Sequence, residues 1–254
     1  MASNNAYGPQ IVTEGLVLHL DAGNAKSYPG AGDVWYDISK GGYNGGINAY
    51  NGSDGSASDS NPAFNTNGVG GGWFEFRSSN LSTRHEVEVT MDEGVLMGSS
   101  EANTVEDWTL EVWVRSQGAP YGNECFLVGR LGHHSMIGQE SSGDDWVFEI
   151  RTDSGSTGRL SVETDATTGV WTHLVLSYVN RYGNCYKDGK LLALDNVDSA
   201  RTVRAHSTAL KIGGYNNNNY RCNADISVVR AYTRALTAAE VKQNYNTHRS
   251  RFGL

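Results

Sequence analysis

The sequence has little cysteine and no excess of positive charge, and each shortage excludes a class of protein. Three cysteines, Cys125, Cys185 and Cys222, lie far apart in 254 residues, so they form neither a zinc-ligand pattern nor an even disulfide framework. We therefore expect folding in a reduced compartment. The 20 lysines and arginines are outnumbered by 28 aspartates and glutamates, and the net charge of −8 argues against nucleic acid as a partner.

Long apolar stretches are also missing. No run approaches the roughly 20 residues that a membrane span needs, so membrane insertion is not expected. The first ten residues, MASNNAYGPQ, have neither the positive segment nor the apolar segment of a secretory signal. We expect synthesis in the cytoplasm, and whether the protein later leaves the cell in an assembly is a separate question.

What is abundant is glycine, with 31 residues, and tyrosine, with 13, a composition typical of short strands joined by tight turns. Apolar patterning predicts strands at 15–20, 73–77, 85–89, 108–115, 125–130, 146–151, 158–164, 171–179, 184–194, 210–214 and 224–232. Turn signals separate the strands about every 8–12 residues, which favours an all-β, two-sheet antiparallel sandwich or jelly roll over βαβ units.

Three local patterns refine this prediction. Residues 171–179 are mostly apolar at both odd and even positions, that is, on both faces of a strand, so this strand should be central with both faces covered. Asp188-Gly189 between two apolar runs predicts a hairpin with a type I′ turn. Thr237 and Glu240 form a T-x-x-E capping box, which predicts one short C-terminal helix.

The tryptophans and the polar segments indicate how the chain is organised. Alternation from residue 108 onward places Trp113 outward, where it would cover a concave face or meet a partner, whereas Trp73, Trp108 and Trp171 are interpreted as core. We expect one domain over 15–254 with a loop-rich insertion around 40–72. A polar arm over 1–14 precedes it, and we hypothesise that this arm orders on a neighbouring molecule.

Three segments in this order resemble a known superfamily. They are WTLEVWV (108–114), GVWTHLVLSY with YKDGKL (169–178, 186–191), and LKIGG followed by ADISVVRAYTRALTAAEV (210–241). Together they resemble the concanavalin A-like, laminin-G-like jelly-roll superfamily. The opening GLVLHLDAGNAKSY with VWYDIS, and the ending QNYNTHRSRFGL, are similar to laminin-G-like domains of bacteriophage virion proteins.

The superfamily includes lectins, glycosidases and scaffolds, so the resemblance does not fix function. Its glucanases carry E-x-D-x-x-E on one strand face, and this chain lacks that pattern: Glu86 and Glu88 share a face, but the third carboxylate is missing. There is no G-x-S-x-G elbow, and His173 is interpreted as structural. We therefore expect no enzymatic activity.

The resemblance implies a structural calcium ion, because relatives hold one between the first turn and the last strand. The matching residues are Asp21 and Gly23 in the first turn and Asp225 in the last strand. The alternative is that Asp21 forms an Asx turn and Asp225 accepts backbone N–H bonds.

A sugar site is the second candidate, because aromatic faces and planar polar groups recognise carbohydrate. The loop 215–221 offers a set of such side chains, namely Tyr215, Asn217, Asn218, Tyr220 and Arg221. His133 and Trp146 could flank it. The alternative is an ordinary asparagine-rich turn, since asparagine tolerates left-handed dihedral angles.

These observations predict a non-catalytic phage virion protein that decorates the capsid or belongs to a fibre or tail. Its lectin-like surface would bind host-surface carbohydrate or other virion subunits, and a homo-oligomer is left open. The alternatives are a polysaccharide-degrading glycosidase of the same fold and a purely architectural virion subunit without a ligand. The expected location is the virion, after synthesis in the host cytoplasm.

Overall fold

A computed structural model describes residues 10–51, 61–77, 83–92, 95–97, 107–122, 124–130, 135–151, 159–180, 182–196, 209–214 and 220–254. The strands, in chain order, are β1 (Leu16–Asp21), β2 (Val34–Trp35), β3 (Gly45–Asn51), β4 (Ala63–Asn65), β5 (Trp73–Arg77), β6 (Thr83–Val89), β7 (Trp108–Ser116), β8 (Tyr121–Gly122), β9 (Cys125–Arg130), β10 (Ser135–Gln139), β11 (Asp145–Arg151), β12 (Arg159–Asp165), β13 (Trp171–Val179), β14 (Tyr182–Lys187), β15 (Lys190–Asn196), β16 (Leu210–Ile212), β17 (Tyr220–Arg221) and β18 (Asn223–Tyr232). An α-helix, α1 (Ala238–His248), and a 3-10 turn (Arg249–Phe252) follow.

The strands form two antiparallel eight-stranded sheets, which confirms the all-β sandwich. Sheet A has the order β15-β14-β13-β7-β18-β5-β4, with β1 also paired to β18. Sheet B has the order β12-β11-β10-β9-β16-β6-β3-β2, and a small ribbon pairs β17 with β8. The main core lies between the sheets, because one parity of each strand is apolar and faces the opposite sheet.

The local patterns read from the sequence are present. β13 is buried on both faces, between β7 and β14. Asp188 and Gly189 have φ angles of +51° and +71°, so the hairpin turn has the positive φ at both positions that a type I′ turn requires. Thr237 and Glu240 form the reciprocal capping box at the start of α1.

The C-terminal residues cover the outer face of sheet A. Trp113 stacks on Phe252 with ring centroids 4.1 Å apart and on Tyr245 at 5.8 Å. Trp113 points outward as predicted, but the chain's own C-terminus covers it, and it is fully buried. Trp73 and Trp171 are buried, as predicted, and they form a second hydrophobic cluster with Trp113 on the outer face of sheet A, because their parity points away from sheet B.

Two parts of the chain contain described segments with more structure than their composition indicated. The interval 40–72 contains β3 and β4, and Ile47 of β3 is buried in the main core. The described end of the arm, residues 10–14, packs on α1, where the Val12 N–H donates to Asn244 Oδ1 at 2.8 Å. Residues 1–9 lie outside the described part, and ordering of the arm on a neighbouring molecule stays a prediction.

Cys125, Cys185 and Cys222 are all buried and form no disulfide bond with one another, and the reduced compartment stays a prediction. No helix in the described ranges has the length and apolar character needed to cross a bilayer.

Candidate functional site

The described part of the predicted sugar loop is β17, which pairs with β8 in a small ribbon that the sequence did not indicate. Tyr220 pairs with Gly122, and Arg221 pairs with Tyr121. The predicted ligand residues Tyr215, Asn217, Asn218 and His133 lie outside the described residues.

The ribbon combines aromatic faces with a cation. The Arg221 guanidinium lies over the Tyr121 ring, 5.9 Å from its centroid. The Tyr220 ring packs edge-on against Phe126 at 5.6 Å. Both tyrosines are half-buried, whereas only 3% of Arg221 is exposed, and burial lowers its pKa. The tyrosines can therefore offer ring surface to a ligand, while Arg221 mainly supports Tyr121.

Trp146 does not belong to a surface site. It is fully buried in the main core, because the β11 parity that places Phe148 and Ile150 inward also places Trp146 inward. Its assignment as a flanking ligand residue is wrong.

Asp21, the first predicted calcium ligand, is paired with an arginine side chain. Asp21 Oδ1 accepts the Gly23 N–H at 3.0 Å, which is the Asx turn given as the alternative. Arg251 Nη1 lies 2.7 Å from Oδ1 and 2.9 Å from Oδ2 of the same carboxylate. A Cβ atom on Gly23 would come within 2.2 Å of Arg251 Nη2, so the guanidinium fills the space beside the turn.

Both carboxylate oxygens of Asp225 are likewise occupied by hydrogen bonds from side chains. Its Oδ1 accepts from Arg77 Nη2 at 2.5 Å, and its Oδ2 accepts from Arg115 Nη2 at 2.7 Å and from Gln117 Nε2 at 2.8 Å. These donors are side chains, not the backbone N–H groups of the alternative. Burial raises the pKa of Asp225, and its contacts with Arg115 and Arg77 oppose that rise. Calcium at Asp21 or Asp225 would have to displace a guanidinium group, so the donor set does not fit the ion, and calcium binding stays a prediction.

The two glutamates on one face of β6 are bridged by a lysine. Lys211 Nζ lies 2.9 Å from Glu86 Oε1 and also contacts Glu88 Oε2. Burial lowers the pKa of Lys211, but hydrogen bonds and charge from both glutamates raise it overall. A glycosidase needs one carboxylic acid that stays protonated, and a cation between the pair opposes that state.

A second group of carboxylates lies where the β10–β11 hairpin meets β12. Oxygens of Glu140, Asp145 and Glu163 all lie within 4.8 Å of one another. Burial and the charge of Glu163 raise the pKa of Glu140. Sequence reasoning missed this group, because its members are distant in the chain and meet only through strand pairing.

Sequence reasoning also missed a buried polar cluster beneath α1. Glu111 accepts from His173 Nε2 at 3.1 Å, from Asn244 Nδ2 at 2.7 Å, and from Arg230. Burial raises the pKa of Glu111, but Arg230 and the hydrogen bonds hold it well below its usual range. His173 is therefore structural, as expected, and the cluster joins α1 to sheet A. The only signal in the sequence was that β7, β13 and β18 each carry a polar residue, Glu111, His173 and Arg230, at a position whose side chain points away from the main core.

Comparison with known proteins supports the fold. A family model described as the concanavalin A-like lectin/glucanases superfamily matches residues 89–242. No curated protein matches the chain.

Solved structures of similar fold include several binding domains. One is the binding domain of Paraclostridial Mosquitocidal Protein 1, with a TM-score of 0.65, 15% identity, and coverage of 92% of this chain and 52% of that one. Another is the binding domain of botulinum neurotoxin DC in complex with rat synaptotagmin II, with a TM-score of 0.62, 14% identity, and coverage of 92% and 51%.

A third structure is described by the statement that cell entry of botulinum neurotoxin type C depends on interaction with two ganglioside molecules. Its TM-score is 0.62 and its identity 14%, with coverage of 92% of this chain and 51% of that one. This chain spans about half the length of each of these structures. At this identity the likeness shows the fold alone.

Proposed function

Because the chain belongs to the concanavalin A-like lectin/glucanase superfamily, we propose that it is a non-catalytic carbohydrate-binding component of a bacteriophage particle. The ribbon of β8 and β17 packs against β9 through the contact of Tyr220 with Phe126, and it presents a tyrosine ring to a host-surface glycan. The other partners are neighbouring virion subunits, and the phage assignment rests on the opening and closing segments of the sequence.

The binding role rests on Tyr121 and Tyr220, which lie on opposite faces of the ribbon because Tyr121 is paired with Arg221 and Tyr220 with Gly122, so each face offers one ring. A half-buried tyrosine has an apolar face for the C–H groups of a sugar and a hydroxyl for its polar edge. Arg221 over Tyr121 and Phe126 against Tyr220 restrict the two rings, so little side-chain entropy is lost on binding.

A glycan array probed with the full chain tests the binding role. We expect binding that falls at least about tenfold in Tyr220→Ala, since a buried aromatic anchor contributes more than about 1.4 kcal/mol. Tyr182→Ala, a change at a 37% exposed tyrosine on β14, is the matched control and should leave binding unchanged. A folded chain that binds no glycan would instead support the architectural subunit.

Mass spectrometry of purified phage particles tests the virion role separately. We expect the chain among the particle proteins in a fixed copy number. Its absence from intact particles would overturn the virion assignment and leave the carbohydrate-binding proposal standing.

The second candidate is a glycosidase of the same fold, and Glu140 with Glu163 favours it. Two carboxylates at close range, one with a raised pKa, are what a retaining mechanism uses. Hydrolysis of a polysaccharide that is lost in Glu140→Gln and retained in Glu14→Gln, a change at an exposed glutamate outside this group, would establish this function. Absence of turnover on every glycan that the array identifies would reject it.

A further inference from the structure

Three leucines on the edge strand β15 are exposed to solvent. They are Leu191, Leu192 and Leu194, with 49%, 41% and 58% of their surface exposed. The other large apolar side chains that are exposed in the described ranges do not form such a group on one strand. Single exposed apolar residues are normal at a protein surface, whereas a contiguous group indicates an interaction site.

Strand pairing shows which face of the sheet these leucines occupy. Leu191 lies opposite Tyr186, and Leu194 lies opposite Asn184. Directly opposite residues of an antiparallel pair share one face of the sheet, and Tyr186 belongs to the cluster that α1 buries. Leu191 and Leu194 therefore lie on the outer face of sheet A. Leu192 is the extra residue of a β-bulge in β15, and its side chain also reaches solvent.

The helix α1 covers this face only as far as β14. Val241 of α1 packs in one cluster with Val175 of β13 and Tyr186 of β14. At the hairpin turn, a Cβ atom on Gly189 would come within 3.0 Å of Tyr245 Cβ, so the helix also contacts the start of β15. The apolar outer face nevertheless continues along β15, where the described chain leaves the leucines uncovered.

The edge of β15 is poorly suited to pairing with a further strand. β15 is the last strand at its end of sheet A. It carries a bulge at Leu192 and an exposed Lys190, and both features hinder hydrogen bonding of another strand to a sheet edge. A partner would therefore pack on the leucine side chains and would not extend the sheet.

The charges at the two ends of β15 favour a second copy of this chain as the partner. The strand begins with Lys190, and Asp195 is next to its last residue, so the leucines lie between opposite charges. A two-fold axis across the strand reverses its direction, so the lysine end of one copy meets the aspartate end of the other. Lys190 is exposed and has no ion pair within the described ranges, so it is available for this contact.

We propose that the outer face of β15 is an interface between two copies of this chain. The leucines of the two copies pack against each other about a two-fold axis, and Lys190 of each copy lies at the end of the other strand that carries Asp195. This association needs no glycan, so the inference is independent of the carbohydrate-binding role.

Sedimentation velocity of the full chain over a range of concentrations tests the interface. We expect a monomer–dimer equilibrium. Leu194→Lys should raise its dissociation constant at least about hundredfold, because a two-fold axis places each change in the interface twice. Val69→Lys is the matched control, a change at a 51% exposed valine in another part of the chain, and should leave the equilibrium unchanged.

Three results of this experiment would overturn the inference. The first is a dimer that survives Leu194→Lys, and the second is an equal loss of dimer in Val69→Lys. The third is a wild-type chain that remains monomeric at about 100 μM, since even a weak specific dimer forms at that concentration. In that case the leucines would be left for a different virion subunit.

Exchange of the end charges tests the two-fold arrangement. Lys190→Asp and Asp195→Lys should each weaken the dimer about tenfold, because like charges then meet at both ends. An equimolar mixture of the two variants should form a mixed dimer about as strongly as the wild type, since each lysine again meets an aspartate. Recovery on mixing would also show that both variants are folded, and no recovery would overturn the inference.

Discussion

At the scale of single residues, the functional question turns on how carboxylates are used. Asp21 and Asp225 are candidate metal ligands in the sequence, and in the structure both of them, and also Glu111, are held by an arginine. A carboxylate already paired with a guanidinium is a poor metal ligand and a poor proton donor, because either role requires breaking a charge-assisted hydrogen bond. These residues stabilise the sandwich.

Asp225→Ala tests this structural role. Without the carboxylate, Arg115 stays between the Trp73 and Trp171 rings as an uncompensated cation, 4.8 and 4.9 Å from their centroids. We expect the free energy of unfolding to fall by about 3 kcal/mol, the lower end for breaking a buried pair, because Arg77 is partly exposed.

Urea denaturation measures this change. Glu75→Ala removes the more exposed partner of Arg77 and should cost no more than about 1 kcal/mol. Equal losses in the two variants would show that Asp225 has no special role. If calcium raises the melting temperature of the wild type and not that of Asp225→Ala, the calcium prediction is supported instead.

At the scale of elements, α1 decides whether the outer face of sheet A is exposed to solvent or buried. Sheet A would expose Trp113, Val228 and Tyr232 if the chain ended at residue 236, and α1 with the following turn buries all three. The helix is short and its sequence is polar, so its stability comes from this packing and from its N-terminal cap. The outer face of sheet A around Trp113, which the sequence offered as a possible contact surface, is therefore covered by the chain itself and is not available to a partner.

Thr237→Ala tests the cap. The Thr237 hydroxyl accepts the Glu240 N–H at 3.3 Å, and Glu240 Oε2 accepts the Thr237 N–H at 2.9 Å. Removal of the hydroxyl should lower the free energy of unfolding by about 1 kcal/mol. Thr247→Ala, near the other end of the helix, should change it by less than about 0.5 kcal/mol, and a larger effect there would contradict the role of the cap.

At the scale of the whole molecule, folding stability should depend on buried histidines. Burial first, and Arg230 next, lower the pKa of His19 to about 2 and that of His248 to about 3. In the unfolded chain both bind protons near their ordinary value of 6.5. The unfolded state therefore binds more protons at acid pH, so stability is full above that value and falls as the pH is lowered through the range down to the folded pKa values.

The free energy of unfolding measured at a series of pH values between neutral and 4 checks this. Each such histidine contributes a slope approaching about 1.4 kcal/mol per pH unit below its unfolded pKa. His248→Gln should reduce the slope by about one such contribution, whatever its effect at neutral pH, and Thr247→Ala should leave the slope unchanged. An unaltered slope in His248→Gln would contradict the assignment of a neutral buried ring.

The sequence by itself determined most of the strands and their parity, the Asp188-Gly189 turn and the helix cap, because these depend on residues close together in the chain. It did not indicate β2, β3, β4, β8, β10 or β17. It could not show that β3 enters the core, since the apolar content of that segment is low and its burial comes from pairing with β6. Only the tertiary structure decided which carboxylates meet cations and which polar atoms are buried without a hydrogen-bond partner. Those outcomes depend on contacts between residues as far apart as Asp21 and Arg251, which no local pattern encodes.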